Sequence, residues 1–215
     1  MKKVLVMCGL LVLVMSVSLA QTVERLPNET TEAFAKRVFN RTDFVHPIIE
    51  VKEKGWCKDT ASKIIICFYG DDEIIIGQLL IPISKNQYQK VLIDTLNYSE
   101  EADMRNLNIE SVFFANADSD KERELVVMFT IMPGKDLRGT DAYLDGFYYN
   151  TYIYDNPNLA HIPERLTYFQ GLSSIFSFTF DGKTYNKATG LLMQISISPY
   201  KDVESVRKAL KTLGY

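Results

Sequence analysis

The run SKIIICFYGDDEIIIGQLLIPI, Ser62 to Ile83, constrains this chain more than any other stretch. Isoleucine and the aromatics lose side-chain freedom in a helix and pack well on a pleated surface, so both halves read as strands. Gly70-Asp71-Asp72 supplies the turn between them and makes the pair a hairpin. The second half is so continuously apolar that neither of its faces suits water, and the sheet it joins needs cover on both sides.

The same strand signal recurs along the chain. IIEVKE, IESVFFAN, ELVVMFTIM and GFYYNTYIY carry it plainly, while YQKVLIDTLNYS fits a helix about as well and is taken here as a strand. In the tail, SIFSFTF and KTYN flank Asp181-Gly182, a dipeptide suited to a type I′ hairpin turn. NETTEAFAKRVFNR reads as a short amphipathic helix capped by Thr30 or Thr31. DVESVRKALKTLGY reads as another, with Asp202 as its cap and Gly214 as its stop. No strand-helix-strand rhythm demands a parallel sheet. The expectation is a mainly β chain: an antiparallel β-sandwich or partly open barrel with short N- and C-terminal helices.

MKKVLVMCGLLVLVMSVSLAQ opens the sequence with Lys2 and Lys3, an apolar run and then small residues. That order is the pattern of a secretory signal peptide, with cleavage expected between Ala20 and Gln21. The run falls short of the ~20 apolar residues of a spanning helix, and no later segment reaches that length. A single β-rich domain over residues 21–215, periplasmic or secreted and without stable membrane insertion after cleavage, is therefore expected. Removing Lys2 and Lys3 from the 24 basic residues leaves 22 against 27 acidic ones, a formal charge of −5. Such an acidic surface exerts no pull on phosphate backbones, which argues against nucleic acid as a partner.

Cleavage also leaves Cys57 and Cys67 as the cysteines of the exported chain. In an oxidising compartment so close a pair is expected to bond, stabilising by about 2–3 kcal/mol. A redox or zinc role is disfavoured, because the spacing is not C-x-x-C and neither His46 nor His161 sits at a zinc-finger interval. Trp56, beside Cys57, is expected to pack against the bridge in a satellite core.

The stretch that most resembles chemistry is ANADSDKEREL, Ala115 to Leu125. Alternate oxygen-bearing side chains on a tight turn converge on one point, which is how calcium loops gather six to eight hard ligands. Asn116, Asp118 and Asp120 would supply side chains, Glu122 its carbonyl and Glu124 the closing carboxylate. Lys121 stands where such loops place glycine, and the first ligand is a neutral amide; both lower the affinity for a cation. The alternative is a solvated acidic turn between two buried strands.

IESVFFANADSDKERELVVMF resembles the strand-loop-strand unit of the FG-GAP and VCBS-like β families, in which D-x-D-x-D-G-x-x-[DE]-L joins two apolar strands. Asn116, Asp118, Asp120, Glu124 and Leu125 match in position, and Lys121 departs at the glycine. YLDGFYYNTYIYD is similar to the continuation in exported single-domain relatives, which include the periplasmic lysozyme-inhibitor type. The resemblance spans roughly Ile109 to Asp155. It implies a β scaffold with a non-enzymatic binding or inhibitory role, in which no cofactor is required and Ca2+ is possible.

Two further regions are candidates for recognition. GFYYNTYIYD alternates two faces, one with Tyr148, Asn150, Tyr152 and Tyr154, and phenols combine apolar area with a hydrogen-bonding tip. The same strand could equally be a rigid sheet element packed on both sides. Asp136, Asp141 and Asp145, in GKDLRGTDAYLDG, are expected on a long recognition loop. No nucleophile elbow, H-E-x-x-H or phosphate-cradling glycine loop is present. The expected function is that of an exported binding protein with a protein or glycan partner, an inhibitor or immunity-like protein. The alternatives are a glycan- or peptide-directed hydrolase with dispersed carboxylates and a structural envelope component.

Overall fold

The structure is a computed structural model, and it describes residues 21–58, 62–71, 74–97, 104–133 and 140–215. The chain opens with β1 (Thr22–Glu24) and α1 (Thr31–Phe39), then runs through β2 (Ile49–Val51), β3 (Ile64–Gly70), β4 (Ile74–Pro82) and β5 (Gln87–Asn97). These strands form an antiparallel sheet in the order β1-β5-β4-β3-β2. The second half supplies β6 (Met104–Ala115), β7 (Glu124–Pro133), β8 (Ala142–Tyr154), α2 (Gln170–Ser173), a 3-10 turn (Ser174–Phe176), β9 (Thr179–Asn186), β10 (Leu192–Ser196) and α3 (Val203–Leu213). Its strands form a second antiparallel sheet that follows chain order from β6 to β10. The ambiguous YQKVLIDTLNYS run is indeed a strand as far as it is described, β5, which ends at Asn97.

Side-chain alternation on β3 shows why this sequence builds layers. Ile64, Ile66 and Phe68 point between the sheets, where they meet Leu79, Ile81, Val91 and Ile93 and, from the second sheet, Leu125, Val127, Phe129 and Ile131. Ile65, Cys67 and Tyr69 point the other way, under Phe34, Ala35 and Phe39 of α1. The second sheet repeats the scheme: Phe113, Val126, Met128 and Ile153 lie outward under Phe176 and under Val206 and Leu210 of α3. The result is helix, sheet, sheet, helix, which gives the continuous apolar runs cover on both faces. Both sheets keep open edges, so the molecule is a sandwich and not a barrel.

The helix ends follow their sequence signals. Thr30 Oγ1 accepts from the Ala33 N–H at 3.1 Å, and Asn40 ends α1 in the left-handed region. Asp202 and Ser205 form a capping box on α3, and Gly214 closes it at φ 99°. Among the described residues no helix is long and apolar enough to cross a membrane.

Five expectations need correction. Cys57 and Cys67 form no disulfide. Cys67 points outward beneath α1, whereas Cys57 packs against the inter-sheet core, so the sheet itself stands between them. Burial in that apolar cluster pushes the Cys67 thiol up to about 12. Trp56 is accordingly no satellite of a bridge; it is fully buried in the main core, edge-on to Phe114 at 5.3 Å.

Asp181-Gly182 makes no turn, because β9 runs straight through it. Gly182 faces Gly146 of β8, and a Cβ on either would come within 2.7 Å of the other's Cα. The glycine marks a close strand approach, not a reversal. Ser174–Phe176, expected as strand, is a 3-10 turn that carries Phe176 beneath α3. Finally, Asp145 lies on β8 opposite Lys183 instead of on a loop.

Candidate metal centre

The acidic segment is the connection from β6 to β7, and its own side chains fold it. The Asp118 carboxylate accepts from the Asp120 N–H at 2.8 Å, and the Asp120 carboxylate from the Glu122 N–H at 2.9 Å. These are Asx turns, the local bonding that lets Asp shape a loop without help from neighbouring strands. Trp56 and Glu53 pin the segment from one side. The indole N–H of Trp56 donates to the Arg123 carbonyl at 2.7 Å, and the Arg123 guanidinium makes two bonds to the buried Glu53, at 2.9 and 2.5 Å. The Glu122 side chain lies over Gly55, where a Cβ would collide with it.

Strand register then brings a distant carboxylate to the loop. Leu125 of β7 pairs with Tyr154 of β8, which sets Asp155, the next residue, beside Glu124. Carboxylate oxygens of Asp118, Glu124 and Asp155 all lie within 4.8 Å of one another. Glu124 is fully buried. One of its oxygens accepts from the Ala117 N–H; the other, Oε1, is buried and has no hydrogen-bond partner among the described residues.

Electrostatics at this point strain against ionisation. Burial, with Asp118 and Asp120 close by, pushes the Glu124 carboxyl up to about 7, although the Ala117 N–H pulls it down. Burial first, and then Asp118 and Asp120, raise Asp155 as well. A metal held here would meet oxygen donors alone, the chemistry of hard cations such as Ca2+ and Mg2+. Its carboxylates would come from Asp118, Glu124 and Asp155.

The structure thus keeps part of the sequence-derived ligand set and replaces the rest. Asp118 and Glu124 meet. Asp120 spends an oxygen on the loop backbone and adds its charge from the side, and Glu122 turns toward Gly55. Asn116 is exposed and lines a groove with Arg207, Lys208 and Lys211 of α3. Asp155 went unrecognised in the sequence, and its one signal was its place directly after the last apolar residue of β8.

The tyrosine face of β8 turns inward at its C-terminal end. Tyr154 is 1 % exposed and donates to Asp94 Oδ2 at 2.8 Å, while Arg165 pairs with the other oxygen of Asp94. Tyr154 thus fastens the end of β8 to β5 and offers nothing to a ligand. Burial, then Asp94, holds its hydroxyl well above the usual phenol range. Tyr152 is half-buried between Phe129 and Tyr168, at 4.8 and 4.9 Å. Tyr148 is half-buried beside Phe180 and Phe178, at 5.2 and 6.4 Å. Asp141 and Asp145 are exposed, and Asp136 lies outside the described residues.

Beyond Tyr148 the outer half of the second sheet holds apolar side chains in water, among them Phe147, Phe178 and most of β10. The chain matches no family model, no curated protein and no solved structure.

Proposed function

We propose that this chain is an exported, non-enzymatic binding protein that recognises a protein or glycan partner and holds a divalent cation, Ca2+ by its donor chemistry, at Asp118, Glu124 and Asp155. The observation that carries the reading is Glu124 Oε1, a buried carboxylate oxygen without a hydrogen-bond partner among the described residues, set among two further carboxylates. A buried acceptor left unsatisfied costs about 1–3 kcal/mol, and more when charged. A cation bound by all three groups removes that cost and their mutual repulsion together. Its structural effect is to tie the β6–β7 loop to the end of β8.

Export is supported by the basic and apolar leader before Gln21. Partner binding is supported by the half-exposed rings of Tyr148 and Phe180 and the exposed ring of Phe178, amphipathic and aromatic area of the kind that anchors interfaces. A hydrolase that used Glu124 would need a substrate bond to reach a carboxylate with no exposed surface.

The test is direct. Ca2+ should raise the unfolding midpoint by mass action, equivalent to about 2.7 kcal/mol at a hundred times Kd. Tb3+ should luminesce when Trp56 is excited. Asp155→Asn should abolish both responses in a folded protein. Equal midpoints in millimolar Ca2+ and in chelator would sink the proposal.

A further inference from the structure

A sheet edge is a row of unpaired backbone N–H and C=O groups, and proteins guard such edges by shortness, charge or bulges. Three of the four edges of this sandwich follow that rule. β1 and β2 are three residues long and carry Glu24 and Glu50. β6 is long, but its pairing with β7 slips between Arg105 and Asn108 and again between Ile109 and Ser111. It also presents Asn108 and Glu110, and Asn106 sits at φ 54°.

β10 is the exception. No charged residue occurs from Ala188 to Tyr200, and no strand pairs with its outer edge among the described residues. Leu191, Leu192, Met193, Ile195 and Ile197 are 68, 50, 60, 61 and 73 % exposed. Successive strand residues point to opposite faces, so exposure along the whole run means that neither face is covered. One bulge, at Met193, interrupts the pairing with β9, and from Gln194 to Ser196 the register is regular.

Area decides between ornament and interface. These five side chains expose on the order of 600 Å², the upper end for the largest apolar patch on a monomer. Phe178 extends the patch, joined to its end by a 2.6 Å hydroxyl contact between Thr179 and Ser198, and is 52 % exposed. With it the exposed total approaches the ~800 Å² that each partner gives to a standard interface, of which edge pairing covers the flanks that meet the partner strand. Phe178 also holds a left-handed backbone, φ 55°, with its N–H donated to the buried Asn150 side chain at 2.9 Å. Such strain in a bulky residue persists only where the surroundings enforce it, here to display a ring.

We propose that β10 is a homodimerisation strand: two copies join their second sheets edge to edge, β10 against β10, antiparallel about a two-fold axis. The product is one continuous ten-stranded sheet. A second copy fits because the strand is self-complementary. Uncharged along its length, it brings no like charges together when paired with itself, and its Leu, Met and Ile side chains meet their equals on both faces. The dimer does not involve the cation site, and either could exist without the other.

Sedimentation equilibrium of the purified protein from 1 to 100 μM tests this. Twice the monomer mass is expected, dissociating on dilution, and of Gln194 and Ile195 the one whose N–H points away from β9 should exchange slowly only where the dimer is populated. Ile195→Lys with Ile197→Lys should give a monomer at 100 μM with an unchanged circular dichroism spectrum, a safe pair because both side chains are exposed in the single chain. A wild-type monomer at 100 μM would overturn the proposal. So would a dimer that survives the double lysine variant, or a monomer that carries a strand of a different protein on β10.

Discussion

At the start of β7 the second sheet takes a carboxylate wholly inside, whereas on β10, three strands away, and the residues that flank it, five large apolar side chains are left in water. Water favours the reverse at both places, since charged groups are seldom fully buried and large apolar ones are usually covered. The two departures differ in kind. Glu124 is misplaced by charge and calls for something small and positive, while β10 is misplaced by surface and calls for something large and apolar. One sheet thus indicates two ligands of opposite chemistry.

The largest way to break the comparison acts on Glu124. Its carboxyl titrates near 4.5 in an unfolded chain and is pushed up to about 7 in the fold. Between those values the folded protein binds the extra proton, so this group stabilises fully below about 4.5, and its contribution is lost as pH rises to about 7. The loss amounts to roughly 3 kcal/mol in the cation-free protein. Glu124→Gln should remove this pH dependence and should leave the protein more stable than wild type above pH 7 in chelator. Urea unfolding of both proteins from pH 4 to 8 checks it. Parallel curves would show that Glu124 is not the strained group.

Trp56 offers a smaller test of how firmly the loop is held. Trp56→Phe keeps most of the core volume and deletes the N–H that bonds the Arg123 carbonyl. A loss of about 1–3 kcal/mol is expected from the unsatisfied carbonyl and the smaller ring, read as a lower urea midpoint. Weaker Tb3+ binding to the same variant cannot be scored by Trp56 emission, so calorimetric titration with Ca2+ is the measurement. An unchanged Ca2+ affinity would mean that the Asx turns shape the loop without the clamp.

How much of this was legible before folding follows from what each feature needs. β3, β4, β7 and β8 announce themselves by residue type, and α1 and α3 by caps, because those signals are local. The Cys57–Cys67 pair misled because closeness along the chain carries no information about faces, and only the parity of β3 puts the two thiols on opposite sides of a sheet. Tyr154 misled for a related reason: alternation distinguishes two faces but does not say that both will be covered at that end of β8. Asp155 required the pairing of Leu125 with Tyr154, a non-local register that no motif around Asn116 encodes. β10 was missed altogether, because its place at a sheet edge depends on pairing with β9 and its exposure on the absence of a cover, neither of which a local pattern encodes.

The smallest effect separates the ligand set drawn from spacing from the one drawn from register. Asn116 is the first ligand of the loop pattern, yet it is exposed and faces the groove beside α3, while Asp155 is outside the pattern and sits within 4.8 Å of the other two carboxylates. Asn116→Ala should therefore change stability by less than about 0.5 kcal/mol, as surface substitutions do, and leave the Ca2+ midpoint shift intact. Comparing melting curves of this variant and Asp155→Asn, each with Ca2+ and with chelator, ranks the two positions. A Ca2+ response lost in Asn116→Ala and kept in Asp155→Asn would mean that the loop closes on its own pattern, and that the neighbouring strand merely stands by.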